Sequence, residues 1–441
     1  MSLPACLLPV MDAVRYSKLL RQAVGFRWYL QGCAAKSATQ RIRCHTKALA
    51  LLEGGPGHRR AAHSLGQQPG FHTLAPWEEV VRSAPRYASM LRDKSEINRS
   101  VILKAPAAGG EKGLLFMTFE YNWVRMLLGL AETERRWLED HYQLVLSTSW
   151  SPTDYAALGM AVAATKGRLL VQSSNYHEIR AIEAFHPRLT CLKTLPCDWT
   201  NPDFHQPKPS AARETDILMV ANWGAFKRHW EFFRALRYMP PELKIVLIGQ
   251  PEPGRSRESI LALSRTLGVP QRLEMHESLP IEEVAAHQCN SKVSVILSRR
   301  EGGCLAAVES LFAGCALALR AGAHVGSLAY INEQTGRRLR PGRIHQDLME
   351  LMDASSRMSP RQWAMENITC GLSSKKLNTL LKEEAVKSGT PWTQDIAEMQ
   401  CRPHPTHAFP ADRERLRPAY EDLHQRFPKV FGASLIDTSW R

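Results

Sequence analysis

At 441 residues the chain is long enough for two or three domains and a sizeable core. A hydrophobic share of 44% and a charged share of 23% are those of a globular protein, and no apolar run reaches the ~20 residues of a membrane span. The ten cysteines include no Cys-x-x-Cys pair, which argues for reduced thiols in a cytoplasmic protein rather than a disulfide framework or a cysteine zinc site.

The net charge of +14 is uneven. Residues 1–75 hold ten lysines and arginines against only Asp12 and Glu53, leaving +8 on one sixth of the chain. Such an excess implies an anionic partner: a lipid surface, a charged acceptor or nucleic acid. A solvated basic face is the plainer alternative.

The opening Leu3–Val10 run is too short, and lacks the basic leader, for a signal peptide. Tyr16 to Leu52 is helix-compatible, weakened at Gly25 and Gly32, and Leu20, Val24 and Trp28 fall four apart as an apolar stripe beside basic residues. A helix of this kind lies on a membrane surface or caps the next domain. Turn-rich stretches at 54–57 and 67–70 read as a linker.

From Pro76 the pattern is α/β. Apolar runs at Ser100–Leu103, Leu114–Phe119, Leu144–Thr148, Arg168–Gln172 and Thr190–Thr194 read as strands separated by helix-length segments, which predicts a doubly wound sheet. Pro207-Lys-Pro209 reads as an interdomain linker. A second alternating series opens with the strand Asp216–Val220 and the loop Ala221–His229. A strand-to-helix loop carrying Lys227 and Arg228 suits an anionic phosphate, because an ammonium or a forked guanidinium neutralises it. The strand Leu243–Gly249 follows, then the strand Leu273–His276 and the helix Ile281–His287.

The series converges on residues 293–319. Val293–Leu297 reads as a buried strand, Gly302-Gly303 as a sharp turn or close approach, Leu305–Ala313 as a helix capped by Gly314, and Cys315–Leu319 as the next strand. The helix start offers free N–H groups and a positive dipole end to a phosphate. Glu301 and Glu309 lie eight apart, so both carboxylates fall on one edge of that helix.

This stretch resembles the signature of retaining nucleotide-sugar glycosyltransferases of family 4, which have the GT-B fold. Glu301, Gly302, Leu305, Glu309 and Gly314 match it position by position, while Gly303 and Cys304 replace the commoner pair with other small residues. Lys227 falls on the family's lysine position, and Asn222 stands where an arginine is usual, leaving Arg228 to supply the missing cation. The strand-end Gly249 corresponds to a glycine close to the nucleotide, and His177 to a histidine near the donor sugar; the Gly109-Gly110 loop resembles one that turns toward that sugar.

The resemblance implies two Rossmann-like doubly wound domains facing a cleft, here with a basic helical extension: 1–75 extension, 76–210 acceptor domain, 211–380 nucleotide-sugar domain and 381–441 helical tail. It implies hexosyl transfer with retention, from a UDP- or GDP-sugar to a glycan, lipid-linked or other anionic acceptor, without cofactor or metal. Glu301, Lys227 and His177 are the implied catalytic residues; Glu309 would hold the ribose, beside Gly302, Gly303, Cys304, Leu305, Asn222, Arg228 and Gly249. The expected setting is cytoplasmic, with peripheral membrane contact through residues 1–75 and no transmembrane segment. A same-fold epimerase or hydrolase, a non-catalytic nucleotide-sugar-binding scaffold and a transferase acting on nucleic acid stand as alternatives, the last disfavoured because regular aromatic interleaving is missing.

Overall fold

The computed structural model describes residues 7–88, 91, 99–401 and 404–435; the opening run from Leu3 starts outside them. The chain forms two compact units, one of Tyr16–Trp199 with Cys370–Arg441, the other of Met1–Arg15 with Thr200–Thr369.

In the first unit, β1 (Ser100–Lys104), β2 (Gly113–Thr118), β3 (Tyr142–Ser147), β4 (Leu169–Gln172) and β5 (Leu189–Cys191) form a sheet in sequential order. β1 is antiparallel to β2, and the remaining pairs are parallel. Successive residues point to opposite faces, and both faces are covered. Ile102, Leu115, Met117, Leu144 and Leu146 face a core with Trp77, Trp123 and Leu158, whereas Val101, Leu103, Leu114, Phe116 and Val145 face Leu377, Leu381 and Met399. The helix Cys370–Ser388 therefore closes this sheet, although the expected boundary after residue 380 divides it between the second domain and the tail.

The N-terminal segment divides. Helix α1 (Leu8–Arg15) groups with the second unit, and α2 (Lys18–Ala34) and α3 (Ala38–Leu52) with the first. Ile42, Leu49, Leu52, Ala61 and Leu65 share the core that contains Trp77, so 38–66 is an integral layer rather than an appendage. The glycines of α2 are its packing face: a Cβ on Gly32 would stand 2.2 Å from His45 Nδ1, and one on Gly25 2.9 Å from Leu52. Leu20 and Val24 of the expected stripe remain exposed.

In the second unit, β6 (Thr215–Val220), β7 (Ile245–Gly249), β8 (Leu273–Glu277), β9 (Ser291–Ile296), β10 (Ala316–Arg320) and β11 (Gly336–Leu339) form an all-parallel sheet in the order β11-β10-β9-β6-β7-β8. This is the doubly wound arrangement, with strand order reversing between β6 and β9. In such sheets the crevice outside the carboxyl ends at the reversal receives the ligand. Both units are thus α/β with Rossmann-like sheets, but only the second is doubly wound: the first keeps its strands in sequential order without a reversal, and its edge strand β1 is antiparallel, so its second face is covered by the later helix Cys370–Ser388 instead.

Candidate active site at the strand-order reversal

Two loops leave the carboxyl ends of β6 and β9, one carrying Lys227 and the other Glu301. Lys227 Nζ donates to Glu301 Oε1 across 2.6 Å, with both side chains largely buried, 16% and 7% exposed. Burial opposes the lysine's charge, but the neighbouring acidic groups, Glu301 foremost, together outweigh it, and the ammonium pKa is held above its ordinary value.

The loop after β9 is stitched to the one after β10. His324 N donates to Arg299 O at 2.7 Å, Glu301 N to His324 O at 3.0 Å and Gly326 N to Gly302 O at 3.0 Å. The left-handed residue of this turn is Cys304 (φ 62°, ψ 80°), not either glycine. A non-glycine residue there costs roughly 1–2 kcal/mol, which the paired backbone on both sides sustains. Cys304 is also the N-cap of the helix Leu305–Phe312 and makes no side-chain cap bond, so the first N–H groups and the positive end of the helix face the loop uncapped. Burial and the Glu301 charge push the Cys304 thiol pKa up, which keeps it neutral at this position.

The loop after β6 is built by Asn222. Its Oδ1 accepts from Gly224 N at 3.3 Å and its Nδ2 donates to Glu252 Oε1 at 2.5 Å. Arg228 closes the loop in the left-handed conformation (φ 62°, ψ 39°) as N-cap of the helix His229–Leu236. Its buried guanidinium contacts the Asp12 carboxylate of α1, donates to Glu231 Oε2 at 2.8 Å and stacks 4.7 Å from the Trp230 ring centroid. Arg320 Nε also reaches Glu231, at 3.1 Å, and Arg299 Nε lies 3.4 Å from Asp12 Oδ2. Arg228 is therefore committed to two carboxylates, and the cation expected to compensate for Asn222 is not a free one.

Glu309 stands on the helix Leu305–Phe312, where Gln288 Nε2 approaches its Oε2 at 3.4 Å; Gln288 Oε1 in turn lies 3.3 Å from His205 Nε2. Leu305 is half-buried at the first helical position. Gly249 is explained by its own chain: a Cβ there would sit 2.6 Å from Ala221 O and 2.7 Å from the Trp223 ring. Glu301, Lys227, Gly302, Gly303, Cys304 and Leu305 are thus brought together at the reversal, with Asn222 and Arg228 framing the β6 loop.

His177 belongs to the first unit. It is exposed, following an Asx turn in which its N–H donates to Asn175 Oδ1 at 3.1 Å. It lines a cleft of about 860 Å³ together with His58, Arg59, His63, Arg180 and His186, and the lining contains no carboxylate residue. Gly109 and Gly110 both have positive φ, and the loop they form is tied down in the same unit by Glu111, which pairs with Lys104 and accepts from Thr393 N at 2.9 Å.

Asp12, Trp223, Gln288, Arg299 and Arg320 were not legible as site residues. Each acts through a partner distant in sequence. Only Asp12 carried a signal, as one of two acids in a basic segment.

Residues 201–353 match the family model described as glycosyl transferases group 1. Among curated proteins none matches the sequence significantly. Solved structures similar to it include the sucrose-phosphate synthase of Thermosynechococcus elongatus, with 17% identity, 73% of this chain and 80% of that one covered, and a TM-score of 0.48. Anabaena HepE in complex with UDP is similar at 13% identity, covering 61% and 78%, with a TM-score of 0.47. TarM of S. aureus, in a complex that includes UDP, is similar at 11% identity, covering 55% and 50%, with a TM-score of 0.42. The matched segment takes in the β6 and β9 loops and the helix Leu305–Phe312, so the Lys227–Glu301 pair lies inside it.

Proposed function

We propose that the protein is a retaining glycosyltransferase that moves a hexosyl unit from a nucleotide-diphosphate sugar to an anionic acceptor. The observation that carries the reading is the Lys227–Glu301 pair beside an uncapped helix N-terminus at the strand-order reversal. The diphosphate would take the N–H groups after Cys304 and the Lys227 ammonium, whose charge stabilises the departing phosphate. Glu301 would then exchange its lysine for the hydroxyls of the transferred sugar, and Glu309 would accept from the ribose hydroxyls. Protein cations rather than a metal would neutralise the leaving group.

The acceptor reading rests on the first unit. Its histidine- and arginine-lined cleft suits a phosphate- or carboxylate-bearing acceptor. α2 exposes Leu19, Phe26 and Leu30 beside Lys18 and Arg27, has no acidic residue and so suits an anionic, lipid-bearing surface at the inner face of a membrane. No helix among the described residues is long and apolar enough to cross a membrane.

The test is a melting-temperature screen of the purified chain against UDP, GDP and ADP and their sugars, with and without metal, followed by transfer assays of Glu301→Gln. A diphosphate that binds only the folded state raises the melting point. Stabilisation by one nucleotide and loss of transfer in the folded variant are expected; wild-type turnover in Glu301→Gln would overturn the catalytic assignment. A second reading, a nucleotide-sugar-binding scaffold without transferase activity, is favoured by Asn222 in place of arginine and by the commitment of Arg228 to Asp12 and Glu231. Nucleotide stabilisation with no turnover on any donor would establish it.

A further inference from the structure

Away from the reversal, at the edge of the second unit's sheet, three metal-ligating side chains converge. Glu274 and His276 are two apart on β8 and so share one face of that edge strand. His287 stands near the end of the helix Ile281–Cys289, one turn beyond Glu283 on the same helix face. One ligand atom from each of Glu274, His276 and His287 can be chosen so that all lie within 4.8 Å of one another. His276 Nε2 is 2.7 Å from Glu274 Oε1, and the two imidazole centroids are 4.7 Å apart.

This donor set is that of a nitrogen–oxygen transition-metal site. Around Zn²⁺ at bond lengths near 2.0–2.2 Å, tetrahedral ligand atoms stand about 3.3 Å apart, so the cluster needs a contraction of about 1.5 Å at most. The half-exposed rings and the exposed Glu274 carboxylate have the side-chain freedom to make it. Two imidazoles disfavour Mg²⁺ and Ca²⁺, which take oxygen. Three protein ligands leave a fourth position for water or for the Glu283 carboxylate.

We propose that Glu274, His276 and His287 bind one Zn²⁺ ion, independently of the nucleotide-sugar site. The ion would clip the edge strand β8 to the helix whose Gln288 approaches Glu309. It forms no part of the transfer chemistry; its effect is on the order of that helix.

The test uses the untagged full-length chain, dialysed against EDTA and titrated calorimetrically with ZnCl₂, with MgCl₂ as control. One equivalent of Zn²⁺, a raised melting temperature and no response to Mg²⁺ are expected. His276→Ala and His287→Ala should each weaken binding at least tenfold, and Glu274→Gln, which keeps side-chain shape, should weaken it less. Co²⁺ should give a visible d–d absorption in the wild type that both histidine variants lose. Circular dichroism confirms that the variants fold; were either unfolded, Glu274→Gln and the wild-type Co²⁺ spectrum carry the decision. Absence of a one-site isotherm, or Zn²⁺ binding unchanged in a folded histidine variant, would overturn the assignment.

Discussion

The carboxylate of Asp12 lies between two guanidiniums, in contact with Arg228 and 3.4 Å from Arg299 Nε. An acidic side chain from α1 thereby meets the cation that ends the β6 loop, next in sequence to Lys227. A bound diphosphate would compete with this carboxylate for positive charge. In Asp12→Asn the amide keeps the shape and loses the charge. UDP should then bind about three- to tenfold more tightly, a gain of roughly 1 kcal/mol, with a steeper salt dependence. Titration calorimetry at two ionic strengths reads this. An unchanged dissociation constant would make Asp12 a structural partner of Arg228 only.

Lys227 and Glu301 should prove energetically coupled. Lys227→Met leaves the Glu301 carboxylate largely buried without its partner, and Glu301→Gln leaves the ammonium so. Each single change should cost more stability than the average surface substitution, and the double variant should recover part of the loss, with a coupling of about 1–3 kcal/mol. Urea unfolding of the four chains measures the cycle. Additive effects would mean that the 2.6 Å contact contributes nothing to the fold.

The strand-end glycine gives a sharper structural test. A Cβ on Gly249 meets a backbone oxygen at 2.6 Å and the Trp223 ring at 2.7 Å, and neither can be displaced cheaply. Gly249→Ala should destabilise the apo protein by about 2 kcal/mol, a fall of roughly 4–8 °C in the melting temperature of its unit. Were the glycine needed only for nucleotide approach, the variant would melt normally and lose only ligand stabilisation.

These cases mark where the sequence stops being readable. Strand runs such as Ile245–Gly249 and the Gly302-Gly303 turn declare themselves through apolar patterning and turn chemistry, which are local. From them come the α/β class and the segment with Lys227, Glu301 and Glu309. What Gly25, Gly32 and Gly249 do depends on which side chain arrives opposite them, and that is fixed by tertiary packing. The left-handed turn fell on Cys304 rather than on a glycine because the backbone bonds to His324 and Gly326 dictate the loop's path. Asp12 and Arg228 are far apart in sequence, so no pattern in either neighbourhood announces their pairing. The covering of the first sheet by the helix Cys370–Ser388 is another long-range choice, which no pattern near residue 370 announces.

The outward face of α2 predicts a surface interaction. Phe26→Glu and Leu30→Glu place charge on a face that is already exposed, so stability should change by less than about 0.5 kcal/mol. Sedimentation with vesicles containing phosphatidylglycerol should show the wild type bound and the double variant released, and neutral phosphatidylcholine vesicles should bind neither tightly. Equal recovery of both chains with the anionic vesicles would remove α2 from any membrane contact.

Acid should destabilise the protein through histidines that are buried neutral. Desolvation lowers the pKa of His229 to about 3, with Lys227 and Arg255 adding repulsion, and lowers His58 and His186 each to about 4. In each case the folded-state pKa is below the unfolded value near 6.5, so protonation favours unfolding. Their contribution is complete above about pH 6.5 and is lost progressively as pH falls toward 3–4. For His229, which is wholly enclosed between Trp223 and Phe233, the loss at pH 5 is about 2 kcal/mol. Neither of its ring nitrogens has a hydrogen-bond partner, so His229→Phe removes two buried polar atoms without stranding another group. The variant should match the wild type in urea midpoint near pH 7.5 and exceed it at pH 5. A pH profile unchanged by the substitution would show that His229 is already protonated, or solvated, in the folded state.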